Sequence, residues 1–226
     1  MPTVDQLLNE LEALANPDNA AGMARYAIGS GRVLGVKIPE LRAMAKRLGK
    51  DHALALALWE TDVHEARLLA CFMDDSKQVT DAQMEAWAAD FASWDICDQC
   101  CNNIFARTPW AYEKAVAWTA REPEFVKRAG YVLMATLAVH DKKVDDGVFA
   151  AFLPHIVAGA DDPRNFVKKA VNWALRQIGK RSHVLHAQAL AAADAIAQLD
   201  TPSARWIAND ARRELTDPKT VARIKR

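Results

Sequence analysis

Apolar residues recur at helical spacing along almost the whole chain. From Val4, the positions Leu7, Leu8, Leu11 and Leu14 mark one face of a helix that Asn16-Pro17 ends. Pro39-Glu40-Leu41-Arg42 opens another helix, with proline in the first turn and Leu41, Met44, Ala45 and Leu48 on one face. Gly49 closes it. Asp51 to Trp59 is again helical and rich in alanine and leucine. Long alternating β-branched runs are absent, and the only short strand candidate is Arg32-Val33-Leu34-Gly35-Val36. The pattern predicts an all-α protein.

The helices resemble one another. His64-Glu65-Ala66-Arg67, Phe125-Val126-Lys127-Arg128, Phe166-Val167-Lys168-Lys169 and Ala204-Arg205-Trp206 each open with basic or aromatic residues and continue into a face of small residues. With Asp98 in the same role, the anchors fall at Arg67, Asp98, Arg128, Lys169 and Trp206, at intervals of about 31, 30, 41 and 37 residues. That is the period of HEAT or armadillo repeats, whose antiparallel helix pairs stack into a curved solenoid with a concave face. Coincidental likeness among alanine-rich helices gives a similar pattern. Asp74-Asp75-Ser76, Thr108-Pro109, Arg121-Glu122-Pro123 and the stretch from Gly159 to Pro163 are short linkers, so residues 1–226 are expected to form a single helical-repeat domain, with a frayed basic end from Lys219 to Arg226.

Composition narrows the class. The chain has 226 residues, 51% of them hydrophobic, and a formal net charge of zero. No apolar run approaches the roughly 18–20 residues that span a bilayer, so no membrane partner is expected. Met1-Pro2-Thr3-Val4-Asp5 has neither the basic start nor the apolar core of a secretion signal. Three of the four cysteines, Cys97, Cys100 and Cys101, sit within five residues, unlike a disulfide framework, and a reducing cytoplasm is expected. The zero balance hides a division. Residues 1–100 carry 9 Lys and Arg against 16 Asp and Glu, a balance of −7, while residues 101–226 carry 20 against 13, a balance of +7. The basic half allows an anionic partner; two ordinarily solvated surfaces fit as well.

Three constellations carry chemistry. Trp94 and Asp98 stand four residues apart after Ser93, a helix N-cap, and so share one helical face. A ring attracts a cation, and a carboxylate stabilises positive charge that develops nearby. A core tryptophan and a solvated or lysine-paired aspartate are the plainer alternative. Asp95, in the first turn, reads as a carboxylate favoured by the helix dipole. Lys127-Arg128 begins a strongly apolar helix, where cations oppose the dipole; this hints at an anionic partner, or at a salt bridge to Glu124 or Asp98. Lys169, Trp173 and Arg176 share a face, with Arg164, Lys168, Lys180 and Arg181 nearby, which suits either a phosphate-binding surface with a stacking ring or a solvated amphipathic helix. Cys97-Asp98-Gln99-Cys100 matches C-x-x-C, but without a thioredoxin-like unit or a second ligand pair these cysteines read as small core residues. The six histidines are scattered and no nucleotide-binding glycine motif occurs, so neither metal nor cofactor is expected.

Taken in order, Gly35-Val36-Lys37-Ile38-Pro39-Glu40-Leu41-Arg42, Trp94-Asp95-Ile96-Cys97-Asp98, Phe125-Val126-Lys127-Arg128 and Lys168-Lys169-Ala170-Val171-Asn172-Trp173-Ala174-Leu175-Arg176 resemble the AlkD-like DNA alkylation repair family, bacterial DNA glycosylases built from HEAT-like repeats. The resemblance spans most of the chain. It implies hydrolysis of the N-glycosidic bond of cationic N3- or N7-alkylated purines in double-stranded DNA by a monofunctional, monomeric, cytoplasmic enzyme associated with the nucleoid. Asp98 matches the catalytic aspartate, Trp94 and Trp173 the lesion-facing tryptophans, Arg128 an arginine beside the phosphate backbone, and Tyr26 a tyrosine of the site. Lys127, Arg164, Lys168, Lys169, Arg176 and Lys180 would grip the backbone. The alternative is a HEAT-repeat protein that binds damaged or branched DNA without excising a base; a helical-repeat protein scaffold is a third possibility.

Overall fold

The computed structural model describes residues 2–29 and 31–224, and among these residues every regular element is a helix. The chain divides into two compact units at Pro109 and Trp110. In the first lie α1 (Val4–Ala13), α2 (Pro17–Ala24), α3 (Ile38–Leu48), α4 (His52–Trp59), α5 (His64–Met73), α6 (Asp81–Ala89) and α7 (Trp94–Asn103). The second holds α8 (Ala111–Ala117), α9 (Glu124–His140), α10 (Asp146–Ala150), α11 (Leu153–Ala158), α12 (Asn165–Gly179), α13 (His183–Ala197), α14 (Pro202–Leu215) and α15 (Pro218–Val221). The five repeat anchors fall on α5, α7, α9, α12 and α14, each on its own helix.

The caps explain the boundaries. Thr3 and Gln6 close a reciprocal capping box at the start of α1. Asn16-Pro17 does more than stop α1. Asn16 accepts a hydrogen bond from the Asn19 amide at 3.0 Å and Pro17 sits in the first turn, so the same pair opens α2, which the apolar pattern does not disclose. The Arg32–Val36 stretch forms no strand; its one bridge joins Arg32 to Val63. Instead it is held by Glu65. That carboxylate is fully buried and accepts from the Leu34 amide at 2.9 Å and the Gly35 amide at 2.7 Å. A buried carboxylate is costly alone, and two charge-assisted backbone bonds offset that cost. Gly35 is required there: its φ is +79°, and a Cβ would lie 2.1 Å from the Asn16 carbonyl oxygen.

In the first unit α5 packs on α4, α3 and α7, and the core centres on Trp59 and Trp87, stacked at 4.0 Å, with Phe91 and Phe105 around them. The four cysteines are fully buried, and the thiols of Cys71 on α5 and Cys100 on α7 touch at 2.7 Å. In the second unit α9 packs along α12, and α12 in turn on α13 and α14. Buried Arg181 ties the 141–146 loop by donating to the Ala138, Asp141 and Val144 carbonyls while its side chain covers the Phe149 ring. At the basic end, α15 is formed and Ile224 is buried; Lys225 and Arg226 lie outside the described residues. Among the described residues no helix is long and apolar enough to cross a membrane.

Candidate active site and nucleic-acid interface

Helix α7 carries the first cluster. Ser93 is its N-cap by position, yet its hydroxyl does not cap: it donates to Asp95 Oδ1 at 2.7 Å. Asp95 Oδ2 accepts from His64 Nε2 of α5 at 2.8 Å. Asp95 is therefore more than a first-turn carboxylate, because it is buried and joins α5 to α7. Burial opposes its ionisation, but the His64 hydrogen bond and field, the Ser93 hydroxyl and the Ile96 amide together bring its titration below the usual carboxylate range. His64 is buried, and its Nδ1 has no partner among the described residues. The Nε2–H of His64 faces Asp95.

Trp94 is half-buried, and its Nε1–H donates to the Tyr26 carbonyl at 2.9 Å. Tyr26 itself is 71% exposed. Both line a cavity of about 620 Å³ whose other walls include Met23 of α2, Val36, Leu68 and Asp95. The structure brings Tyr26 and Trp94 to one cavity, and the hydrogen bond between them runs through Tyr26's backbone. One turn beyond Trp94, Asp98 is half-buried at the edge of α7, whose interior positions are Asp95, Ile96, Cys97, Cys100 and Cys101.

The second unit holds the other expected site residues. Helix α9 starts at Glu124, three residues earlier than the apolar run indicates, so Lys127 and Arg128 lie in its second turn and the dipole argument for an anionic partner does not apply. Arg128 is buried and donates through Nη1 to the Phe166 carbonyl of α12 at 2.6 Å. Lys127 pairs with Asp162 at 3.0 Å, and Arg164 clasps the same carboxylate with Nε and Nη2 while donating to the Glu122 carbonyl. Burial raises Asp162's titration, but Arg164 and Lys127 more than reverse this and hold it far below the ordinary range. On α12, Trp173 is half-buried and Lys169 is exposed, with no ion-pair partner among the described residues. Lys168 lies over the Trp206 ring at 5.1 Å. Arg176 and Lys180 both pair with Glu214 of α14, Lys180 at 2.5 Å, and their charges outweigh burial to lower the Glu214 titration.

Sequence reasoning missed the partners: His64 for Asp95, Asp162 for Lys127 and Arg164, Glu214 for Arg176 and Lys180. Spacing cannot reveal a contact between helices 31 or 34 residues apart.

Comparison with known proteins places the chain. An uncharacterised protein of Listeria innocua is 25% identical over 203 residues, covering 88% of each chain. Another, of Listeria monocytogenes, is 27% identical over 135 residues, 58% of this chain and 60% of that one. Among solved structures, a member of a new family of proteins related to the HEAT-like repeat DNA glycosylases, with affinity for branched DNA structures, superposes with a TM-score of 0.76 at 19% identity, over 86% of this chain and 83% of that one. A predicted DNA alkylation repair enzyme from Enterococcus faecalis gives a TM-score of 0.63 at 18% identity, over 86% and 95%. These likenesses show the fold, helix pairs stacked as in HEAT-like repeats. The family model for DNA alkylation repair enzymes matches residues 7–215, and the chain belongs to that family.

Proposed function

We propose that the protein is a monofunctional DNA glycosylase that hydrolyses the N-glycosidic bond of cationic N3- or N7-alkylated purines in double-stranded DNA, acting as a monomer and without a cofactor. The observation that carries this reading is the placement of Trp94 and Asp98 one turn apart at the half-buried edge of α7, beside a helix interior filled by Ile96 and the cysteines. Alkylation gives the base a formal positive charge, which a tryptophan face favours by about 0.5–2 kcal/mol. The same charge weakens the glycosidic bond, so the leaving base needs little protonation. As the bond breaks, the sugar becomes oxocarbenium-like. Asp98 would stabilise that cation and orient the water that adds to it, leaving a free base and an abasic site. Trp94, Tyr26, Trp173 and Arg128 are assigned to the lesion and its backbone, and Lys127, Arg164, Lys168, Lys169, Arg176 and Lys180 to flanking phosphates.

One observation favours the alternative of DNA binding without excision. A structural relative has affinity for branched DNA structures. Release of free base from methylated duplex DNA decides between them. The proposal expects release well above the spontaneous rate, reduced about 10²–10³-fold in Asp98→Asn. Release that Asp98→Asn leaves unchanged would defeat the catalytic assignment, and tight DNA binding with no release would establish the alternative.

A further inference from the structure

The first unit is acidic, yet it contains a recess lined by three cations and no carboxylate. A cleft of about 310 Å³ is lined by Arg42 and Lys46 of α3, Lys50, Phe72 at the end of α5, and Asn103 at the end of α7. Elsewhere in this unit three arginines are paired, Arg32 with Glu12, Arg47 with Glu10 and Arg67 with Asp62. In the cleft, Arg42 lies over the Phe72 ring at 4.5 Å and donates to Gln99 Oε1 at 3.3 Å, both neutral partners. Lys50 donates to the Phe72 and Asp74 carbonyls, while the Asp74 carboxylate is taken by His52, Gln83 and its own neighbour's amide. Lys46 is exposed, and like Arg42 and Lys50 it makes no ion pair with a carboxylate among the described residues. Burial, and then the charge of Arg107, push the Lys50 ammonium below its ordinary range, against the opposing fields of Asp74 and Asp75.

We infer that this cleft is a phosphate-binding recess, filled by a phosphodiester of the DNA backbone. An arginine fork already oriented by a ring and a side-chain amide, with two ammonium groups beside it, suits a tetrahedral oxyanion. Its position fits the same DNA that the proposed excision requires, on which the inference rests. Gln99 accepts from Arg42 and from Asn103 and follows Asp98 directly in α7. From Asp98 to Asn103 the helix rises about 7.5 Å. The recess therefore lies within about two turns of Asp98 along α7. It also supplies backbone contacts from the acidic half of the chain, where charge balance alone points to none.

The test is equilibrium binding of the full chain to an unmodified fluorescent duplex across a salt series, alongside Arg42→Gln/Lys46→Gln and a control, Lys77→Gln, an exposed cation outside the recess. The double variant should bind about five- to tenfold more weakly and show a salt slope smaller by about one to two. The control should match wild type. A double variant that keeps its helicity and binds with wild-type affinity and slope would overturn the inference. A thermal midpoint raised by inorganic phosphate in wild type but not in the variant, with DNA binding unchanged, would overturn the assignment to the DNA backbone and mark a free-phosphate site. The duplex carries no lesion, so the outcome is separate from excision: failure of base release would leave a reduced slope standing, and an unchanged slope would leave base release standing.

Discussion

Asp95 shows what a single side chain contributes beyond its local context. In sequence it is a first-turn carboxylate; in space it receives the His64 N–H and the Ser93 hydroxyl and links two helices. Its folded-state titration lies below its unfolded one, so ionised Asp95 stabilises the fold at pH values above the unfolded carboxylate range, near 4. That stabilisation is lost as pH falls through the folded value. Asp95→Asn should cost about 1–3 kcal/mol at neutral pH, because the amide cannot accept from both donors without presenting an N–H to one of them. At about pH 3 the difference from wild type should shrink, because below the unfolded carboxylate range the unfolded chain takes up a proton that folded Asp95 resists, and the stabilisation begins to fall. Urea unfolding at both pH values checks this; a difference that does not shrink on acidification would show that the loss comes from packing rather than from the charge.

At the scale of elements, the helices whose apolar stripes are long were legible, and those fixed by caps or distant partners were not. The face of Leu41, Met44 and Ala45 with Gly49 behind it defines α3 within a residue or so. By contrast α2 has no buried residue and thus no stripe to read, and its start hides in an Asn-Pro pair that equally well ends a helix. The Arg32–Val36 segment has strand-like residues but no second strand to pair with; the side chain that satisfies it, Glu65, belongs to a helix. For the site, Trp94 and Asp98 were visible because their spacing is internal to one helix, whereas the engagement of Arg128 with Phe166 depends on how α9 meets α12. The Gly35 turn is where this non-local support is most brittle. Gly35→Ala adds a Cβ against the Asn16 carbonyl at a positive φ, and should cost roughly 2–4 kcal/mol. Because Gly35 also walls the cavity beneath Trp94, the variant should show altered tryptophan emission below its unfolding transition. A wild-type thermal midpoint would contradict that account.

Over the whole molecule, charge is sorted rather than scarce. The basic surplus lies in residues 101–226, but much of it is spoken for, since Asp162 holds Lys127 and Arg164 and Glu214 holds Arg176 and Lys180. A phosphate that met Arg176 would compete with a carboxylate already in place, so these pairs restrain DNA affinity while keeping long side chains ordered. The restraint can be removed. Glu214 is ionised at neutral pH, its titration lowered by the two cations against the effect of burial. Glu214→Gln removes one negative charge and leaves both cations available. If they face DNA, the variant should bind an unmodified duplex about three- to tenfold more tightly, with a salt slope steeper by about one to two, although its own stability falls by about 1 kcal/mol. Raising salt should then erase the gain, because each added phosphate contact releases counterions. Affinity unchanged at low salt would mean that Arg176 and Lys180 do not meet the backbone. Weaker binding would mean that Glu214 positions them, and that order in the two side chains contributes more to DNA affinity than the charge it cancels.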